Sequence, residues 1–260
     1  MGKLLNIVLG SGKVYFDAHD ADGNLTGESY LAETPDFALT VESDKLEEFS
    51  SDGPTAEKLM DITKTVNRKG ACTVKDISGE NLAMFIMGDV GSLSTGVSAV
   101  VADPVNDGRA VAGDRWYQLG VDATHPAGLR GLTDVVINDG GTALTLTTDY
   151  LLDAETGRIF IVAGGSGDGK VLTGDFNTTA VSWENITSND LGAKTGALRW
   201  IADNTYGENR DAYFPDVVMS PAGDFQWKSR DTVQVLGFDI GIQKPADGRE
   251  SVYINGRPQA

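Results

Sequence analysis

Apolar and polar residues alternate with a period of two through most of the chain, the signature of strands that turn one face toward a core. In the segment PDFALTVES, Phe37, Leu39 and Val41 alternate with Ala38, Thr40 and Glu42, which predicts a half-buried strand. In LMDITKTVNRKG, Met60, Ile62 and Val66 share one face while Asp61, Thr63, Thr65 and Asn67 share the other. Further strands are expected at 71–77, 115–120, 133–138, 143–147, 158–163, 198–203, 216–220, 224–228 and 233–242. Asp-Gly steps at 22–23, 52–53, 107–108, 139–140, 168–169 and 247–248, with Asn-Gly at 255–256, supply the turns between them. One stretch departs from this period. Leu82, Phe85 and Ile86 share a helical face behind Ser78 as a cap and Glu80 in the first turn, and Gly88 is expected to stop the helix.

The pattern therefore predicts a mainly β protein: an antiparallel sandwich or partial barrel with one short flanking helix. Residues 89–114 are rich in Gly, Ser and Asp without a clear period and read as a loop or linker. Residues 115–190 hold their own cluster of short strands and are expected to form a β-rich insertion, leaving 1–114 and 191–260 as the main domain. The segments 2–11 and 251–260 carry no period, so they either order on assembly or fray.

Composition changes the picture in one respect. The 260 residues carry a formal net charge of −17, which disfavours a grip on nucleic acid because such grips use Lys and Arg to release counterions. The same charge suits a surface that nucleic acid passes without sticking. The apolar run Leu4–Leu9, interrupted by Asn6, is too short for a signal peptide, and no segment approaches a membrane-spanning length. Cys72 stands alone, so no internal disulfide and no cysteine-based metal site is expected, and a reducing compartment is the default.

Candidate chemistry dissolves on inspection. Residues 17–28, DAHDADGNLTGE, have the length and the acidic ends of an EF-hand loop, but His19 and Ala21 occupy ligand positions and Gly23 falls one place late. β-formers flank the stretch, so a turn around Asp22-Gly23 is expected. The segment GGSGDGKV at 164–171 imitates a phosphate loop, yet Val171 replaces the magnesium-binding hydroxyl and another strand follows, so a glycine-rich hairpin connection is expected. His19 and His125 are too far apart in sequence for a metal-ligand spacing, and no G-x-S-x-G elbow occurs. No catalytic, cofactor-binding or metal-binding residue is assigned, and the chain is not read as an enzyme.

The order of segments resembles the major tail tube protein of long non-contractile-tailed bacteriophages. The segments that carry the likeness are GKVYFDAHDADGNLTGESYLAETPDFALTVESDKLEEFSS (12–51) and KLMDITKTVNRKGACTVKDISGENLAMFIMG (58–88), followed by DRWYQLG (114–120), DYLLDAETGRIFIV (149–162) and GENRDAYFPDVVMSPAGDFQW (207–227). The resemblance implies a structural virion protein of the phage tail, made in the host bacterial cytoplasm. Its subunits would pool strands into a hexameric ring around a channel, and stacked rings would form the conduit for the genome. Implied partners are further copies of itself, the tape measure protein, and the tail terminator and initiator proteins, with DNA in transient non-specific passage and no membrane. No cofactor is implied.

On that resemblance, strands 35–48 and 58–75 form the channel wall. Glu42 and Asp61 are the candidate channel-facing acids, with Glu47 and Glu48 of open facing. The link Phe49, Ser50, Ser51, Asp52, Gly53 and Pro54, continuing to Glu57, is the candidate loop toward the next ring. Two other readings compete. A tail decoration or receptor-binding sandwich predicts an exposed aromatic cluster, whereas Trp116, Tyr117, Trp183, Trp200 and Trp227 are scattered among predicted strands. A type VI secretion-like tube protein would share the fold.

Overall fold

A computed structural model describes residues 7–189 and 192–258. The protein is mainly β. In chain order its elements begin with β1 (Gly12–Ala18), β2 (Ser29–Tyr30), β3 (Asp36–Phe49), β4 (Lys58–Val74), α1 (Gly79–Phe85), β5 (Gly88–Thr95) and β6 (Ser98–Pro104). They continue with β7 (Arg115–Gln118), β8 (Thr133–Asp139), β9 (Thr142–Ala143), β10 (Tyr150–Asp153), β11 (Arg158–Ile161) and β12 (Leu172–Thr178). The last five are β13 (Val181–Ser188), β14 (Lys194–Ala202), β15 (Arg210–Ala222), β16 (Leu236–Ile242) and β17 (Tyr253–Gly256).

The chain divides into two compact units, the first from residues 1–90 and 186–260, the second from 91–185. In the first unit a single antiparallel sheet runs in the order β2-β1-β14-β15-β16-β4-β3, with β17 paired to β15. The sheet is strongly curled. Phe37 at its β3 edge meets Phe214 of β15, three strands away, ring edge to ring face at 5.9 Å. Inside the curl Val14, Phe16, Leu198, Val217, Met219, Leu236, Phe238 and Ile240 form the core. Helix α1 covers it with Met84, and Phe85 sits edge-on to Phe238 at 6.1 Å. So short a helix depends on that packing rather than on its own propensity. The Ser78 hydroxyl accepts from the Asn81 amide, as its position predicts. The stop is Met87 rather than Gly88. Met87 takes the left-handed φ of 52°, whereas a Cβ on Gly88 would lie 2.0 Å from the Thr187 carbonyl oxygen. Gly88 is needed for close approach to β13, not for the turn.

The second unit has two small sheets, β10-β11-β7 and β6-β12-β8-β9, around Leu119, Ile137, Ile159, Ile161, Leu172 and Phe176. It starts at residue 91, not 115, because residues 88–104 form β5 and β6 rather than a linker. β5 pairs with β13, the division between the units runs through both, and β6 pairs with β12 from Ser98↔Thr178 to Pro104↔Thr173. β6 is an edge strand that buries little, which hides its period: Val101 is exposed while Val100 packs on the core.

Three other expectations change. Residues 224–228 lie outside any strand because Gly223, at φ 72°, turns the chain out of the β15 ladder. The strand expected at 143–147 shrinks to β9, since Asp149 draws the Thr145 amide into a turn at 2.8 Å. The glycine-rich stretch 164–170 is not a hairpin, because β11 and β12 belong to different sheets. Asp168 holds it by accepting from the Gly113 and Gly164 amides at 2.8 and 3.0 Å, and these bonds keep its carboxyl below the ordinary value. At the chain ends, 253–256 pairs with β15, whereas residues 2–6 and 259–260 lie outside the described residues.

A candidate assembly interface on a two-stranded ribbon

Strands β3 and β4 are by far the longest consecutive pair, in register from Asp36↔Thr73 to Phe49↔Lys58. β16 covers β4 only from Arg68 to Val74. Beyond that point β3 and β4 run on as a bare two-stranded ribbon. β3 is the terminal strand of its sheet, so among the described residues its outer edge carries no partner strand. Such an edge is a row of main-chain donors and acceptors ready to pair with another chain.

The apolar side chains of the ribbon lie largely in solvent. The half-buried strand expected at 37–42 is half-buried only at Phe37. Leu39, Val41, Leu46, Phe49, Leu59, Met60, Ile62 and Val66 are all exposed, by 39–67 %. Fully burying one such side chain is worth about 1.5–3 kcal/mol, so eight half-exposed ones leave on the order of 10 kcal/mol for a partner surface to recover.

Two irregularities control which face each residue takes. The register steps from Asp44↔Thr65 to Lys45↔Thr63, leaving Lys64 as an extra residue in β4, and again between Glu48 and Phe49. A bulge of this kind reverses the alternation that follows it. Ser43↔Val66 and Leu46↔Ile62 therefore lie on opposite faces, because positions 43 and 46 of the unbulged strand do. Met60 and Ile62 do not share a face with Val66, contrary to the period-two reading. The signal was present: Lys64 stands where strict alternation asks for an apolar residue.

The same step separates the two acids assigned to a channel wall. Glu42 pairs with Asn67, and Asp61 pairs with Glu47 on the opposite face. Each also carries a lysine. Lys69 Nζ donates to Glu42 Oε2 at 2.9 Å, and Lys45 and Lys58 both donate to Asp61 Oδ2 at 3.3 Å. Lys58 bonds Glu47 as well, while Glu48 sits across from Met60 on the other face. Hydrogen bonds from Lys45, then Lys58, hold the Asp61 carboxyl below the ordinary aspartate value of 3.8. A lowered value makes the cluster's contribution present near neutrality, and it is lost as pH falls through the folded-state value. Replacing both lysines (Lys45→Met with Lys58→Met) is expected to return the Asp61 titration midpoint, followed by carboxyl NMR, toward 3.8. An unmoved midpoint would remove the lysines as its cause.

At the tip the loop 50–57 is closed by the Ser50 amide donating to the Glu57 carbonyl at 2.7 Å, and the Ser50 hydroxyl accepts from the Asp52 amide at 3.2 Å. Phe49 precedes it as the last residue of β3, half exposed. Ser51, Asp52, Gly53 and Pro54 are exposed along its crest.

No competing site has comparable structure. Among the described residues no group of three or more His, Cys, Asp or Glu side chains is placed to hold a metal ion. His19 Nδ1 lies 3.2 Å from the Thr195 hydroxyl, and His125 Nδ1 lies 3.2 Å from Asp122 Oδ1. Asp20 Oδ1 accepts from the Asp22 and Asn24 amides, so the Asp-rich loop spends that oxygen on its own backbone. Burial pushes the Cys72 thiol up to about 12, far from a reactive thiolate. No described helix is long and apolar enough to cross a membrane. No curated protein matches the chain. A protein-family model described as "Protein of unknown function UCP028589" matches residues 7–199, most of the chain, and the protein therefore belongs to that family.

Proposed function

We propose that the protein is a self-assembling structural subunit, the tail tube protein of a long-tailed bacteriophage, which works by assembly rather than catalysis. The observation that carries this reading is the β3–β4 ribbon: a long pair with a free edge and eight exposed apolar side chains. Water solvates such a ribbon poorly, and a second copy pairing along the β3 edge would cover its backbone and its side chains together. A contact of this kind joins two different surfaces, so repetition about an axis closes a ring, and a second such contact along the axis builds a tube. On this reading the exposed tip loop 50–57 makes the second contact.

Charge enters the proposal with a modification. Residues 36–69 hold eight acidic and five basic side chains, so the ribbon is only mildly acidic within a chain of net charge −17. Because Glu42 and Asp61 face opposite ways, a bore lined by one face of the ribbon takes one of them, not both.

The test is electron microscopy with sedimentation of the purified protein at rising concentration. Rings or hollow rods with a lumen wide enough for duplex DNA are the expected result. A species that stays monomeric at every concentration, with its β3 amides exchanging freely, would overturn self-assembly.

One observation favours the decoration reading for the second unit. Trp116 and Phe160 stand 5.4 Å apart on the outer face of the β7–β11 pair, the sort of aromatic platform on which sugars stack. The Arg158 guanidinium already lies 4.9 Å from the Trp116 ring centre, so the platform is partly covered from within. The ribbon remains the stronger feature.

A further inference from the structure

Gly223 turns the chain out of β15, and residues 223–235 form a loop that returns to the sheet at Leu236, the first residue of β16. The loop is held by its own hydrogen bonds. The Gln234 side-chain amide donates to the Gln226 and Trp227 carbonyls at 2.9 and 3.1 Å, and the Thr232 amide donates to the Ser229 hydroxyl at 3.1 Å. Phe225 anchors it from below, 6.0 Å from Phe85 of α1. On this support Trp227 stands edge-on to Phe225 at 4.8 Å, and both Trp227 and Val233 remain 73 % exposed. A tryptophan fixed in place yet left in water is a strong anchor for a partner, because little side-chain freedom remains to be lost on binding.

The charges around the indole narrow the choice of partner. In a chain of net charge −17, Trp227 is followed by two cations, Lys228 and Arg230. Both are exposed, and neither has a carboxylate partner among the described residues. A matching surface offers carboxylates beside a rigid apolar group. The tip loop 50–57 has both: Asp52 and Glu57 are exposed without a cation partner among the described residues, and Gly53-Pro54 lies exposed between them. A proline ring packs on an aromatic face at low entropic cost, since its φ is already fixed.

Position decides whose tip it is. β4 opens at the tip with Lys58 and ends at Val74, which pairs with Leu236 where the Trp227 loop ends. Its 17 residues span on the order of 50 Å, so the tip does not reach the loop of its own chain.

We infer that the Trp227 loop receives the tip loop 50–57 of a second copy of this chain, with Pro54 on the indole and Asp52 and Glu57 beside Lys228 and Arg230. This deepens the assembly reading and rests on it. Because the two surfaces sit at opposite ends of one strand, a joined pair keeps a free tip at one end and a free loop at the other, and the contact propagates. Exposed ion pairs add little each, so the indole carries the contact while the charges select and steer the partner.

Charge exchange tests this. Asp52→Lys with Glu57→Lys sets like charges against each other at the contact, as does Lys228→Glu with Arg230→Glu, whereas all four changes together restore opposite signs. The four side chains are exposed, so no variant disturbs the core. The concentration needed for rods, read by sedimentation, is expected to rise at least about tenfold with either pair alone and to return within about twofold of the parent with all four. Trp227→Ala should raise it at least about tenfold as well. Either pair assembling like the parent would assign the Trp227 loop to a different partner and overturn the inference while leaving assembly standing. A four-fold variant that assembles no better than the pairs would overturn it too. A parent chain that forms no rods at any concentration would overturn the inference and the assembly reading together.

Discussion

Joining Glu42 to Asn67 through an Asn-Gly turn, with residues 43–66 removed, is expected to abolish assembly completely while leaving a folded monomer. Glu42 and Asn67 already face each other in the ladder, and Asn-Gly supplies the positive φ that a two-residue hairpin turn needs. Nothing of the core is lost, because apart from the partly buried Ser50 every side chain from 43 to 66 is exposed and none belongs to either hydrophobic cluster. Thermal unfolding should therefore shift by no more than the equivalent of about 1 kcal/mol, the scale of surface changes. Sedimentation should change from polymer to monomer at every concentration at which the intact chain forms rods. A shortened chain that still builds rods would move the assembly surface off the ribbon, and a shortened chain that fails to fold would show the ribbon to be part of the protomer's own stability.

The sequence makes the local elements of this protein legible and leaves its exposed apolar surfaces hidden. Helix α1 is readable because three independent signals coincide at Ser78, Glu80 and the Leu82/Phe85 face. β3 and β4 are readable as strands from their alternation, but the alternation alone reports an apolar face and not whether anything covers it. Phe37 is covered by Phe214, whereas Leu39 and Val41, two and four residues on, are not. That difference depends on which parts of the curled sheet come face to face, since β16 still pairs with β4 opposite both residues, and this is a long-range fact with no local trace. The facing of Glu42 and Asp61 is lost for a related reason: one extra residue, Lys64, inverts the facing of residues 63 to 60 of its strand. The start of the second unit is missed because β6 is an edge strand, whose few buried residues give no period to detect.

The second unit has a core of its own, and this fixes how damage spreads. Phe238 is 1 % exposed, stands between Cys72 and Pro221 in the ladder, and packs edge-on against Phe85, so Phe238→Ala removes a ring from the centre of the first core. Truncations of this kind cost about 3–5 kcal/mol, a large fraction of the roughly 5–15 kcal/mol that holds a domain folded. Ile159 is fully buried among Leu119, Ile137 and Ile161, and Ile159→Ala should cost about 2–5 kcal/mol there. The two clusters share no residue. Hydrogen exchange is therefore expected to show β16 amides losing protection in Phe238→Ala while β11 amides keep theirs, and the reverse in Ile159→Ala. Equal loss in both sheets from either change would mean that the units unfold as one block, with β5 and β13 transmitting the damage. Selective loss would mean that the second unit folds on its own contacts, which would leave a chain free to vary that module without disturbing the surfaces through which the first unit is proposed to assemble.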